Sequence, residues 1–173
     1  HEDVSIVFKL FLHAKHTCGI PYSFYYWVTH TGSITSYLTE QHIDGLINAM
    51  EEKYRYIAES FGNGLLTKLE SSILYGWCKT FDIKLRDIEN YREENPELET
   101  ALLNYLYNKL QHNRRFKQAL EQHGKRFKKL LYFFKLWSSK KPAKDRIDEY
   151  HYLSDNILKY TIFQQKSKYK KVY

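Results

Sequence analysis

The sequence predicts an all-α protein, an irregular bundle of five to six helices with a basic C-terminal helical hairpin and tail. Three observations carry this expectation. Seven Gly and three Pro among 173 residues leave little turn chemistry for an all-β fold. Apolar side chains recur at helical spacing through most of the chain. No βαβ pattern and no internal repeat interrupts them. The length is that of one domain with a real core, here placed at 1–163, followed by a basic flexible tail at 164–173.

The first helix is expected over Val4 to His16, with apolar residues at 4, 7, 8, 11 and 12 forming a buried face. Cys18-Gly19-Ile20-Pro21 ends it. Tyr22 to Val28 is an aromatic run with no polar face, and His30 to Ser33 reads as a loop. Ser33 or Ser36 can cap the second helix, whose stripe runs from Ile43 to Phe61 and stops at Gly62-Asn63-Gly64. A third helix from Leu65 to about Tyr91 places Leu66, Leu69, Ile73, Leu74, Trp77 and Phe81 on one side.

Asn95-Pro96-Glu97 marks the clearest boundary. Asn caps, Pro takes the first helical position where no N–H is needed, and Glu97 and Glu99 face the positive end of the dipole. The apolar stripe then continues from Leu98 to Trp137, as one helix of about 40 residues or as two hinged at Gly124. Pro142 opens the last helix, which carries Ile147, Tyr150, Ser154, Ile157, Leu158 and Thr161 on its face.

Charge is distributed unevenly. From His1 to Leu110 there are 10 Lys and Arg against 15 Asp and Glu, and from Gln111 to Tyr173 there are 17 against 5, or −5 and +12. Such asymmetry points to a polyanionic partner or surface for the basic half. No run approaches the roughly 18–20 apolar residues that span a bilayer. The most apolar window, Leu130 to Trp137, is short and broken by Lys135. The lack of an Asn-x-Ser/Thr site favours an intracellular location, although a start at His1 rather than Met leaves room for a removed leader or an excised domain.

The basic amphipathic segment Lys125 to Trp137 is the main candidate interface. Phe127, Leu130, Leu131, Phe134 and Trp137 form one stripe, while Lys125, Arg126, Lys128, Lys129 and Lys135 cover the other side. Arg114, Arg115, Lys117, Lys140, Lys141 and Lys144 widen the cationic field. Cations neutralise phosphates and release counterions, and Tyr132 and Phe133, off the stripe, are placed to stack on bases. The leading expectation is therefore a non-enzymatic module that engages RNA or DNA. A core helix with a cationic outer face, or a helix for a membrane surface or a calmodulin-like partner, are the competing readings of the same segment.

Arg146-Ile147-Asp148-Glu149-Tyr150-His151, near the start of the last helix, pairs an Arg and a His. In these six residues the chain resembles the HEPN ribonucleases, a family that uses such a pair, usually in a dimer, to cleave RNA without metal. The resemblance implies a general acid or base at His151 and a phosphate-holding Arg146, though Ile147 stands where the family places a small polar residue. An offset of five residues on a helix sets side chains about 140° apart, so only a groove between helices brings both to one substrate.

A third reading is a protein-interaction subunit, effector or inhibitor docking on a larger assembly, or a homodimer held by opposite charges. No cofactor is expected. His13, His16, Cys18 and His30 lack structural-zinc spacing, so no metal site is assigned. Cys18 and Cys78 are expected as reduced thiols, a disulfide between them being the alternative.

Overall fold

The computed structural model describes residues 2–19 and 38–169, with side chains for 5–19 and 38–156. Among the described residues there are six α-helices and no strand: α1 (Glu2–His13), α2 (Glu40–Glu89), α3 (Pro96–Leu110), α4 (Arg114–His123), α5 (Lys128–Trp137) and α6 (Ala143–Tyr169), with a 3-10 turn at Gly124–Arg126. The fold is all-α, as composition and periodicity predict. The aromatic run at 22–28 and the caps at Ser33 and Ser36 lie outside the described residues. Of the expected tail, the backbone to Tyr169 is helical as part of α6.

The chain divides into two compact units, His1–Glu70 and Ser71–Tyr173, with the boundary inside α2. In the first unit, Thr39 and His42 close the start of α2 reciprocally. The His42 N–H donates to Thr39 Oγ1 (3.4 Å) and the Thr39 N–H to His42 Nδ1 (3.1 Å). The helix continues to Gly62, whose φ of 78° and ψ of 170° break the helical path. An L side chain rarely adopts that geometry, so glycine is what permits the kink between two helical stretches.

α1 meets α2 through only part of the face its apolar spacing suggests, with Phe8 and Leu12 half-buried. Phe8 packs edge-on against Tyr56 at 5.7 Å, Lys9 Nζ donates to Glu52 Oε1 at 2.5 Å, and His13 Nε2 lies 2.7 Å from the Tyr56 hydroxyl. Val7 and Phe11, expected in the core, are exposed, as are Ile6 and Leu10. A mixed aromatic and charged seam through Phe8, Lys9 and His13 decides the orientation instead.

In the second unit an aromatic series forms the core. Ring contacts run from Trp77 to Phe81 (5.8 Å), Phe116 (5.7 Å), Phe134 (4.8 Å), Phe133 (5.1 Å), Trp137 (4.5 Å) and Tyr150 (5.6 Å). Each large ring removes considerable apolar surface from water and adds edge or tilted ring contacts. α3 starts as its sequence dictates, with Asn95 Oδ1 accepting from the Leu98 N–H at 3.0 Å and Pro96 leading the first turn.

The long stripe from 98 to 137 is three helices rather than one or two. The break at Gly124 is present, and a second at Gln111–Asn113 was not anticipated. There Asn113 Oδ1 accepts from the Phe116 N–H at 2.8 Å and caps α4. Gly124 has an ordinary helical φ of −55°. Space around it is tight, since a Cβ at this position would lie 3.2 Å from Leu120 Cδ1 and 3.4 Å from Leu131 Cδ1, so a larger residue needs those leucine ends to shift slightly. His123 and Phe127, on either side of the turn, both contact the Tyr75 ring, at 5.8 and 5.2 Å.

Candidate functional site: a cationic face beside an aromatic groove

α5 determines which cations are available. It buries Lys129, Leu130, Phe133, Phe134, Leu136 and Trp137. This arc is wider than a single stripe because α5 packs on both the aromatic core and α6. Two expectations are corrected as a result. Phe133 does not face solvent but sits fully buried between Phe134, Trp137 and Tyr150. Lys129 is only 5% exposed and leaves the cationic face. Its Nζ donates to Glu89 Oε2 at 2.5 Å, because a buried ammonium needs a counter-charge.

The remaining cations are on the outside. Arg114, Lys117, Lys125, Arg126, Lys128, Lys135, Lys140, Lys141 and Lys144 are exposed and Arg115 is half-buried. Lys141 is paired with Glu149. Along α5, Lys128, Tyr132 and Lys135 follow each other at i, i+4 and i+7 on one exposed line, with Tyr132 40% exposed and Lys135 Nζ 5.8 Å from its ring centroid.

These charges are placed against the helix dipole. α3 begins with Glu97 and Glu99, as helix electrostatics favours. α4 begins with Arg114, Arg115 and Lys117, and α5 with Lys128 and Lys129 just after Lys125 and Arg126. Neither has an acid in its first turn, and α5 has no side-chain cap bond. From Arg114 to Trp137 there are eight Lys and Arg and one acid, Glu121. Cations at the positive ends of two successive helices cost stability rather than add it.

Beside this face, the end of α3, α4 and α5 enclose an open groove of about 570 Å³. Leu110, Phe116, Leu131 and Phe134 form its apolar floor, and Tyr107, His112, Lys117 and Lys135 stand on its rim. The Tyr107 ring lies 5.5 Å from Phe134, and its hydroxyl lies 3.2 Å from Ser138 Oγ. The groove went unseen in the sequence because its mouth is made by the break at 111–113. Asn113 followed by Arg114-Arg115-Phe116 was the available cap signal.

Arg146 and His151 have separate partners. Arg146 donates through one terminal nitrogen to the Trp137 carbonyl (3.2 Å) and lies over the Trp137 ring (5.6 Å), which caps the negative end of α5. His151 Nε2 lies 2.9 Å from Oε1 of Glu99, a carboxylate buried to 1% exposure, and Arg92 approaches the same oxygen at 4.0 Å while binding Asp155 at 3.0 Å. Nearby, Glu89 collects the Tyr150 hydroxyl (2.6 Å) and the Ser154 hydroxyl (2.8 Å) in addition to Lys129. These contacts tie α2, α3, α5 and α6 together, although the Nε atoms of Arg92 and Arg146 are buried without a hydrogen-bond partner.

Both cysteines are free, Cys18 exposed and Cys78 buried. Burial, and then the charge of Asp82, push the Cys78 thiol up to about 12. Burial and Glu89 likewise hold the Tyr150 hydroxyl well above its ordinary value. The folded state thus keeps protons that the unfolded chain releases in alkali, so stability falls as pH rises through about 9 and beyond. A thermal melting series should show Tm declining from there upward. Iodoacetamide at mild pH should add one label to the native protein and two to the denatured one. Two labels gained at equal rates in the native state would contradict the burial of Cys78.

Among the described residues no three His, Cys, Asp or Glu side chains gather as a metal site, and no helix is long and apolar enough to cross a membrane. Compared with models of protein families, with curated proteins and with solved structures, the chain has no match in any of the three.

Proposed function

We propose that this protein is a nucleic-acid-binding module that engages the phosphate backbone through the first turns of α4 and α5 and the exposed line of α5. The observation that carries this is the placement of Arg114, Lys117 and Lys128 in the first turns of two helices that hold no acid there, with Lys125 and Arg126 in the turn between them. An arrangement that costs the isolated fold stability is explained when an anion completes it. Phosphates accept from such termini and from Lys and Arg together. The separation of Arg146 from His151, each tied to a structural partner, supports binding rather than cleavage.

Fluorescence anisotropy with labelled RNA and DNA tests this directly. Contact with about six phosphates predicts an affinity that falls about a thousandfold between 50 and 200 mM salt. The triple change Lys125→Glu, Arg126→Glu, Lys128→Glu should weaken binding at least tenfold. Lys128→Glu alone, in the first turn of α5, should also raise the unfolding free energy by about 0.3–1 kcal/mol. No detectable binding at low salt, or binding indifferent to the triple change, overturns the proposal. A dominant acidic protein co-purifying in place of nucleic acid would do the same.

A further inference from the structure

The groove beside the cationic face has a composition of its own. One wall carries the half-buried Tyr107 ring, the aromatic surface a ligand can reach, which rests 5.5 Å from Phe134 over a floor where Phe134 and Phe116, 4.8 Å apart, are buried. Its rim carries Lys117 from α4 and Lys135 from α5, with His112 between helices, and no carboxylate lines it among the described residues. A second depression of about 480 Å³ shares His112 and Lys117 with the groove and adds Arg114, Gln118 and Glu121. The two therefore adjoin along the start of α4, which is also the cationic terminus described above.

We infer that the groove is a slot for one unpaired nucleobase, with its phosphate held between Lys117 and Lys135, and that the protein consequently prefers single-stranded to duplex nucleic acid. This rests on the nucleic-acid binding proposed above and adds the strand type and the contact. A flat apolar ring joined to an anion matches both parts of the groove. An apolar peptide leaves the two lysines without a counter-charge, and a free phosphate leaves the aromatic floor empty. A duplex buries its base faces in the stack, so only an unstacked base can enter. Stacking on protein aromatics tolerates any base because each has a π-face, so little sequence preference is expected. The volume suits a single ring system with its sugar.

The full chain should bind a short oligouridine or oligoadenine at least tenfold more tightly than a duplex of equal length at the same salt. Filling the groove with Leu131→Trp should abolish that difference and leave duplex binding within about twofold. Because Leu131 is half-buried and its replacement can disturb folding, Tyr107→Ala on the rim serves as the second variant, with the same expected loss of preference. In parallel, a nucleoside monophosphate added to isotope-labelled protein should shift the methyl resonances of Leu110 and Leu131. Equal affinity for the two strand types, or shifts confined to residues outside the groove, overturns the slot while leaving backbone binding intact. Failure of both polymers to bind overturns the proposed function, and the monophosphate shifts then decide the slot alone.

Discussion

Glu89→Ala is expected to destabilise the second unit by about 3–5 kcal/mol, since it leaves a buried ammonium without its counter-charge. The Lys129 side chain is 5% exposed and the Glu89 side chain 12%, and the same carboxylate accepts from the hydroxyls of Tyr150 and Ser154. Three donors converge on one acid at the C-terminal end of α2, where the helix dipole disfavours a negative charge. Lys129, Tyr150 and Ser154 offset that cost. The double change Glu89→Leu, Lys129→Leu should recover part of the loss, because an apolar pair removes the stranded charge. It should not recover all of it, because the Tyr150 and Ser154 hydroxyls then lose their acceptor. Urea unfolding at constant m-value measures both. A loss below about 1 kcal/mol for Glu89→Ala would mean that Lys129 reaches water, contrary to its burial.

Phe133→Ala should cost about 3–5 kcal/mol, while Tyr132→Ala, its neighbour in sequence, should cost less than about 0.5 kcal/mol. Phe133 is fully buried and contacts Phe134, Trp137 and Tyr150, so truncation leaves a cavity among rings that cannot collapse freely. Tyr132 is 40% exposed and beside Lys135. Binding should respond in the opposite order. Tyr132→Ala should weaken nucleic-acid affinity several-fold with the fold intact. Phe133→Ala should leave affinity unchanged when measured on the folded fraction. If the two positions cost the same stability, the orientation of α5 about its axis is different from that described.

Much of the architecture was legible because it depends on local rules. Asn95-Pro96 starts α3 and Gly62 breaks α2, each through backbone or capping chemistry carried by one or two residues, and Gly124 marks the interruption of the stripe toward α5. The cap at Asn113 obeys the same rule and was readable, but the apolar spacing continued smoothly across it and concealed the break. In α1 the spacing was right for Phe8 but not for Val7 and Phe11, since the seam adds Lys9 and His13 against Glu52 and Tyr56. A lysine and a histidine in a packing face are invisible to a count of apolar residues.

The candidate site divides in the same way. That a basic surface lies between Arg114 and Lys144 follows from composition, because most Lys and Arg stay in water unless paired. Which cations belong to it does not follow. Lys128 and Lys129 are adjacent in sequence and alike in chemistry, yet one is exposed and the other is buried against a carboxylate 40 residues away. Tyr132 and Phe133 diverge likewise. The sequence by itself determined the helical class, the main helix boundaries and the sign of the surface, all of which rest on short-range backbone and charge rules. The tertiary structure alone decided the rotation of α5, the pairing of Glu89 with Lys129 and the groove under Tyr107. Those depend on how far α5 turns between two neighbours, and a rotation of one residue, about 100°, exchanges the core for the solvent.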